Sequence, residues 1–205
     1  MKPRRSLFAL ASLALLLTAG CQIVPDAKPD PTRFFVLSNP SAPDFDASDL
    51  SGITLGIHEV RLPVYLGDSR AMAVRSPGNR ITYRDFERWA EPLDEGVKRL
   101  LAISLPISPS VARALTPPFP AGVKRDYDLQ VTVLTAEGYD AGETQQVRFA
   151  LDYSLLTLEG ELVTHGVYRA PVRDWDGSAS DLARLLSQAI QDGAETIAQA
   201  IPRAD

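Results

Sequence analysis

Cysteine occurs once in the 205 residues, at position 21, so neither an intrachain disulfide nor a cysteine-based zinc site can form. Histidine occurs twice, as His58 and His165, both within stretches that read as strands. The chain has no G-x-S-x-G, no P-loop, no G-x-G-x-x-G opening a helix and no H-E-x-x-H, so the common nucleophile, phosphate, dinucleotide and zinc motifs are missing. Lysine and arginine form no block, and 21 basic residues stand against 26 acidic ones, which disfavours binding to a phosphate backbone. No nucleic-acid partner, metal or cofactor is expected. What remains is 45% hydrophobic and 23% charged, with 13 Gly and 16 Pro, the make-up of an ordinary globular domain.

The first twenty residues carry the sharpest local signal. Lys2, Arg4 and Arg5 precede an uncharged apolar run from Leu7 to Leu17, too short to cross roughly 30 Å of hydrocarbon as a helix. The run ends in Thr18-Ala19-Gly20-Cys21, a small-residue cleavage site followed by cysteine. Residues 1–20 therefore read as a bacterial lipoprotein signal peptide and Cys21 as the lipidated first residue of the mature chain. A plain signal peptide ending beside a free Cys21 is the alternative. The position three before the cysteine is Thr18 where Leu is usual, and Gln22 follows the cysteine in place of Asp, the sorting pattern of an outer-membrane destination in enterobacteria. Three acyl chains exceed what stable anchoring needs, so the mature protein is expected to be tethered to a membrane by lipid.

Residues 21–32 hold Pro25, Pro29 and Pro31 among charged residues and read as an extended linker reaching about 30 Å. Residues 33–205 read as one domain of sufficient length for a sizeable core. Arg33-Phe34-Phe35-Val36-Leu37 is a strand candidate, Asn39 to Asp44 a surface loop, and Ile53 to Val60 an alternating strand. Met72–Arg75 and Ile81–Arg84 flank Ser76-Pro77-Gly78-Asn79 as a hairpin. A helix is expected from Pro92 to about Leu105, with Leu93, Val97, Leu100 and Leu101 on one face. The proline-rich stretch 106–120 is expected to be a loop with at most one helical turn around Val111–Leu115. Tyr127–Ala136, Gln145–Thr157 and Leu162–Val172 alternate as strands, and Ser178-x-x-Asp181 caps a helix over about Ser180–Ile201. This order implies an α/β layer structure on a mixed sheet.

Three constellations are candidates for chemistry. His58 and His165 would form a metal pair only if their strands adjoin; two ordinary strand histidines are the favoured reading. Asp174 and Asp176 flank Trp175, which suggests a glycosidase-like acid pair around a sugar platform. The preferred reading is a polar turn, with Trp175 covering the junction of helix and sheet. Glu87-Arg88-Trp89-Ala90-Glu91-Pro92 leads into the first helix, and it reads either as an N-terminal cap with acids near the positive helix end or as a corner for a partner, the cap being favoured.

The Arg33–Leu37 strand, Leu62-Pro63-Val64-Tyr65-Leu66 followed by Met72-Ala73-Val74-Arg75, and Arg88-Trp89-Ala90-Glu91-Pro92-Leu93 resemble, in that order behind a lipoprotein cysteine, the PqiC/YmbA family of auxiliary lipoproteins. The resemblance runs from Arg33 to the alanine-rich end; Gly67-Asp68-Ser69-Arg70 departs from it, where the family more often has Asp-Arg directly after Tyr-Leu. It implies a fold similar to the TolB N-terminal domain, a single mixed β-sheet domain with helices packed on both faces. It implies a non-enzymatic outer-membrane lipoprotein whose domain faces the periplasm and docks inner-membrane ABC- or MCE-type lipid transport subunits, with a homo-oligomeric ring as a further expectation. Arg88, Trp89, Glu91 and Pro92, with Tyr65 and Arg75, are then the candidate partner interface and Cys21 the lipidation site. The alternative function is a stand-alone periplasmic lipid- or carbohydrate-binding lipoprotein or a hydrolase using Asp174, Trp175 and Asp176.

Overall fold

The computed structural model describes residues 28–38 and 52–202. Cys21, the signal segment, most of the linker and the expected loop Asn39–Asp44 lie outside the described residues. The chain divides into two units, Met1–Pro31 and Thr32–Asp205. Of the first, residues 28–31 are described and exposed; the remainder of the fold concerns the second.

Nine strands form one sheet: β1 (Arg33–Phe35), β2 (Ile53–Arg61), β3 (Ala71–Ser76), β4 (Arg80–Trp89), β5 (Val111–Leu115), β6 (Tyr127–Asp140), β7 (Gln145–Leu156), β8 (Leu162–Arg169) and β9 (Arg173–Asp174). The helices are α1 (Val64–Gly67), α2 (Leu93–Ser104) and α3 (Ala179–Gln199). The β6–β7 hairpin is the spine, paired over its whole length. On the other edge of β6, Tyr127–Thr132 takes β2, which carries β5 beyond it, while Gly138–Tyr139 takes β3, which carries β4 and then β1. The sheet therefore branches at β6, and it is mixed: β1–β4, β2–β5, β2–β6 and β3–β6 are parallel, the rest antiparallel.

Strand alternation sets two faces. Leu129, Val131 and Val133 of β6 and Val147, Phe149, Leu151, Tyr153 and Leu155 of β7 point inward and are buried. There they meet Val97, Leu100 and Leu101 of α2 and Leu182, Leu185, Leu186, Ala189 and Ile190 of α3 in one core. At roughly 1.5–3 kcal/mol for each buried large aliphatic side chain, this face dominates the stability of the domain. Both long helices share it, packed on each other and on the sheet, whereas only the four-residue α1 sets a side chain, Tyr65, over the outer face. Ser178 caps α3 as expected, its hydroxyl accepting from the Asp181 N–H at 3.2 Å. Pro92 is the residue just before α2, not its first helical residue.

The expected helical turn at Val111–Leu115 is instead a strand. Its backbone pairs in parallel with Ile53–Gly56 at the sheet edge, and the inward Val111 is buried. Alanine, arginine and leucine favour helix locally, but an unpaired edge of β2 offers more hydrogen bonds than one isolated turn. Two further differences are the length of β4, which runs to Trp89, and the last expected strand, which ends at Arg169 as β8 and is followed by the unforeseen two-residue β9, both on β7.

Candidate functional site

The outer face of the sheet carries the main polar assembly. Arg75 on β3 lies beside Tyr139 on β6, and Glu137 lies opposite Arg148 on β7, all on this face. Glu137 is fully buried although it sits on the side away from the core. Arg75 Nε donates to its Oε1, Arg75 Nη2 to its Oε2 at 3.3 Å, and the Tyr65 hydroxyl to Oε2 at 2.8 Å. Arg75 Nη2 also donates to the Tyr65 hydroxyl at 3.2 Å, and the Tyr83 hydroxyl donates to the Tyr65 carbonyl at 2.9 Å. The Arg148 guanidinium lies 3.5 Å from the Tyr139 ring centroid, and that of Arg75 lies 5.4 Å from the Tyr65 ring. Burial first, and then the hydrogen bond to Glu137, push the Tyr65 phenol up to about 12. Each carboxylate oxygen of this enclosed acid is bonded, which offsets the cost of taking it out of water.

Two of the sequence candidates, Tyr65 and Arg75, are thus brought together, with Glu137 as the unforeseen third member. No spacing rule links positions 65, 75 and 137. The one available signal was a glutamate on an otherwise small and β-branched strand, Thr132-Val133-Leu134-Thr135-Ala136-Glu137-Gly138.

The other four candidates divide. Trp89 is 4% exposed and belongs to the core. Glu91 accepts from Arg99 Nε at 3.2 Å, and Arg99 Nη2 reaches the Leu37 carbonyl at 2.7 Å, so this acid ties the start of α2 to the chain after β1. Arg88 and Pro92 remain exposed, and Arg88 Nε donates to the Asp85 carbonyl at 3.1 Å. The run is chiefly a packed corner, with two side chains left at the surface.

The sugar-platform reading of Asp174, Trp175 and Asp176 fails on burial. Trp175 is 5% exposed, its Nε1 donates to the Ser178 carbonyl at 2.7 Å, and its ring lies where a Cβ on Gly138 would stand, 2.5 Å from Cζ3. A ring enclosed in this way offers no face to a sugar. Asp176 is held below the ordinary carboxylate range by hydrogen bonds from Ser178, which is its turn-forming partner.

The histidines are likewise separated. His58 is on β2 and His165 on β8, with β6 and β7 between them. Three strand steps amount to roughly 14 Å, far beyond one metal ion's reach. Among the described residues no group of three or more His, Cys, Asp or Glu could hold a metal.

His58 has another partner. One extra residue in β2 between Ile57 and Val60 forms a bulge, which aims His58 at Asp128, 3.0 Å from Nε2 to Oδ2. Arg125 holds the same carboxylate, Nε to Oδ1 at 2.9 Å, and Phe119 covers both His58 and Arg125. Burial pulls Asp128 upward, but the bonds from Arg125 and His58 outweigh it and leave the acid below its ordinary value. His58 and Asp128 line an outer-face cavity of about 350 Å³ with Gln130, Thr132 and Leu156. Thr132 and Thr157 are the hydroxyl side chains that line it.

A family model described as "ABC-type transport auxiliary lipoprotein component" matches residues 35–198, nearly all of the described domain. The chain belongs to this family, the PqiC/YmbA type of auxiliary lipoprotein. No curated protein matches the chain. Two crystal structures share the fold of this auxiliary lipoprotein. One, titled only as an uncharacterized protein, is 19% identical with a TM-score of 0.64, over 83% of this chain and 99% of that one. The other, protein XCC0632 from Xanthomonas campestris, is 16% identical with a TM-score of 0.62, over 82% of this chain and 90% of that one. At these identities the likeness concerns the fold. Within this auxiliary lipoprotein, then, the segments that carried the family resemblance serve two tasks: Tyr65 and Arg75 build the outer-face assembly, and the Trp89 segment fastens β4 to α2.

Proposed function

We propose that this auxiliary lipoprotein is a non-catalytic docking component of an ABC/MCE-type intermembrane lipid transport system, held at the outer membrane by acyl chains on Cys21 with its domain in the periplasm. The observation that carries the reading is the outer face itself. Tyr83, Tyr139, Arg148 and the Tyr65–Arg75–Glu137 assembly present arginine and tyrosine on a rigid sheet, the residue types that dominate protein–protein hot spots. Because Glu137 fixes Arg75 and Tyr65 before any partner arrives, little side-chain freedom is lost on docking.

The test is photo-crosslinking in cells from Tyr83 and Arg148 in the full-length protein, with adducts identified by mass spectrometry. Adducts to an inner-membrane MCE-type or ABC subunit are expected. Adducts only to itself or to cell-wall material would refute docking and favour a stand-alone envelope lipoprotein. Cys21→Ala should move the protein from the membrane to the soluble fraction.

A further inference from the structure

We propose that the corner formed by β1 and the end of β4 is a membrane-contact surface, which turns the anchored domain to a fixed orientation on anionic phospholipid. The proposal rests on the reading of Cys21 as acylated. Phe34, Val36 and Phe86 are 61%, 51% and 55% exposed here, and the two phenylalanines are the most exposed aromatic side chains among the described residues. Phe34 stands opposite Arg88 in the parallel β1–β4 ladder, and Val36 follows two residues on. Arg33, Arg70 and Arg88 surround them and are exposed.

The corner is rigid. The Trp89 N–H donates to the Arg70 carbonyl at 2.7 Å, the Ala90 N–H to the Phe35 carbonyl at 2.8 Å, and Arg33 pairs with Glu87 at 2.5 Å. Buried Trp89 and half-buried Phe35 back it from the core side. Exposed aromatics with arginines at their rim match the interfacial zone of a bilayer, where rings sit at headgroup level and guanidinium groups meet phosphate.

Two further observations single out a lipid surface as the occupant. The first is the tether. Residues 21–32 enter the fold at Arg33, on the corner itself, and twelve residues reach at most roughly 37 Å at about 3.1 Å each. A tether this short holds the corner near the headgroups at an effective concentration in the millimolar range, so contacts too weak to recruit a free protein suffice to orient an anchored one. The second is charge. From residue 21 onward the chain has 18 basic and 26 acidic residues, whereas at the corner four arginines, Arg33, Arg70, Arg84 and Arg88, stand against three acids, Asp68, Asp85 and Glu87. An anionic surface repels most of the domain and attracts this part of it.

Lipidated full-length protein in vesicles of phosphatidylethanolamine and phosphatidylglycerol, two to one, provides the test. Acylation turns the Cys21 sulfur into a thioether, so an engineered cysteine is the sole free thiol. A nitroxide at Ala90→Cys leaves the apolar side chains in place; one at Val167→Cys, exposed on β8, is the reference. The ratio of oxygen to nickel-chelate collisions is expected to be severalfold higher at position 90 than at 167, and to fall to the reference level when Phe34→Ser and Phe86→Ser are added. Equal ratios at the two positions would overturn the proposal. So would dipolar broadening between labels that persists in detergent, which would mean that a second copy covers the corner. Uptake of label by the wild-type chain would refute the acyl anchor itself, a failure recognisable without reference to the corner.

Discussion

Arg75 and Glu137 lie 62 positions apart in the sequence and form an ion pair on the outer face of the sheet in which the carboxylate is entirely enclosed. The pair and the Tyr65 hydroxyl together hold α1 against β3 and β6. Removing one partner leaves the other charged and buried, so Arg75→Met should cost about 3–5 kcal/mol, read as a lower urea midpoint. Arg75→Met combined with Glu137→Leu should recover most of that loss. A single variant as stable as wild type would mean that the pair contributes nothing net.

Tyr65 and Tyr168 are both pushed up to about 12, chiefly by burial. A phenol that is harder to ionise when folded contributes stability that is complete below its unfolded value near 10 and is lost as the pH rises from there through about 12. Phenolate absorbance should accordingly show a late component from Tyr65 and Tyr168, together with the onset of alkaline unfolding. In the Tyr65→Phe variant one late step should disappear.

Gly138→Ala tests the seat of Trp175. A methyl there would stand 2.5 Å from Cζ3 and 2.8 Å from Cη2 of a ring that cannot withdraw from the core. Overpacking of this kind costs typically about 1–3 kcal/mol, so thermal denaturation should come several degrees earlier. Unchanged stability would show that the ring has room to shift.

Asp174→Asn together with Asp176→Asn should leave the photo-crosslinks from Tyr83 and Arg148 unaltered, with Trp175→Ala instead costing roughly 3–5 kcal/mol of stability. Loss of the crosslinks in the double asparagine variant, with folding intact, would reopen a functional role for the two acids.

Legibility followed distance along the chain. The apolar stripe of α3, the Ser178 cap and the alternation of β6 and β7 are local patterns, and each reads directly from its own stretch of sequence, whereas the run read as a cap at Trp89 closes β4 and α2 starts without a side-chain cap bond. Val111–Leu115 does not, because its strand exists only by virtue of the free edge of β2, more than fifty residues earlier. Glu137 is hidden for the same reason: its alternation is shifted by the irregularity between Val133 and Thr135, and its partners come from 62 and 72 residues upstream. Tyr65 and Arg75 were named from the family's segments, but nothing in those segments reveals that they share one carboxylate. His58 shows the converse. The residue was visible, while the bulge that turns it to Asp128 was not.

The three-residue β1 also decides how the domain bears load. Any pull on the chain upstream of Arg33 enters an edge strand whose bonds to β4 run in parallel register. Beyond β1, Arg99 of α2 grips the Leu37 carbonyl, and the Ser38 N–H donates to the Ser187 hydroxyl of α3 at 3.0 Å. Tension on the tether therefore passes through a short ladder into β4 and, by these two bonds, into both long helices.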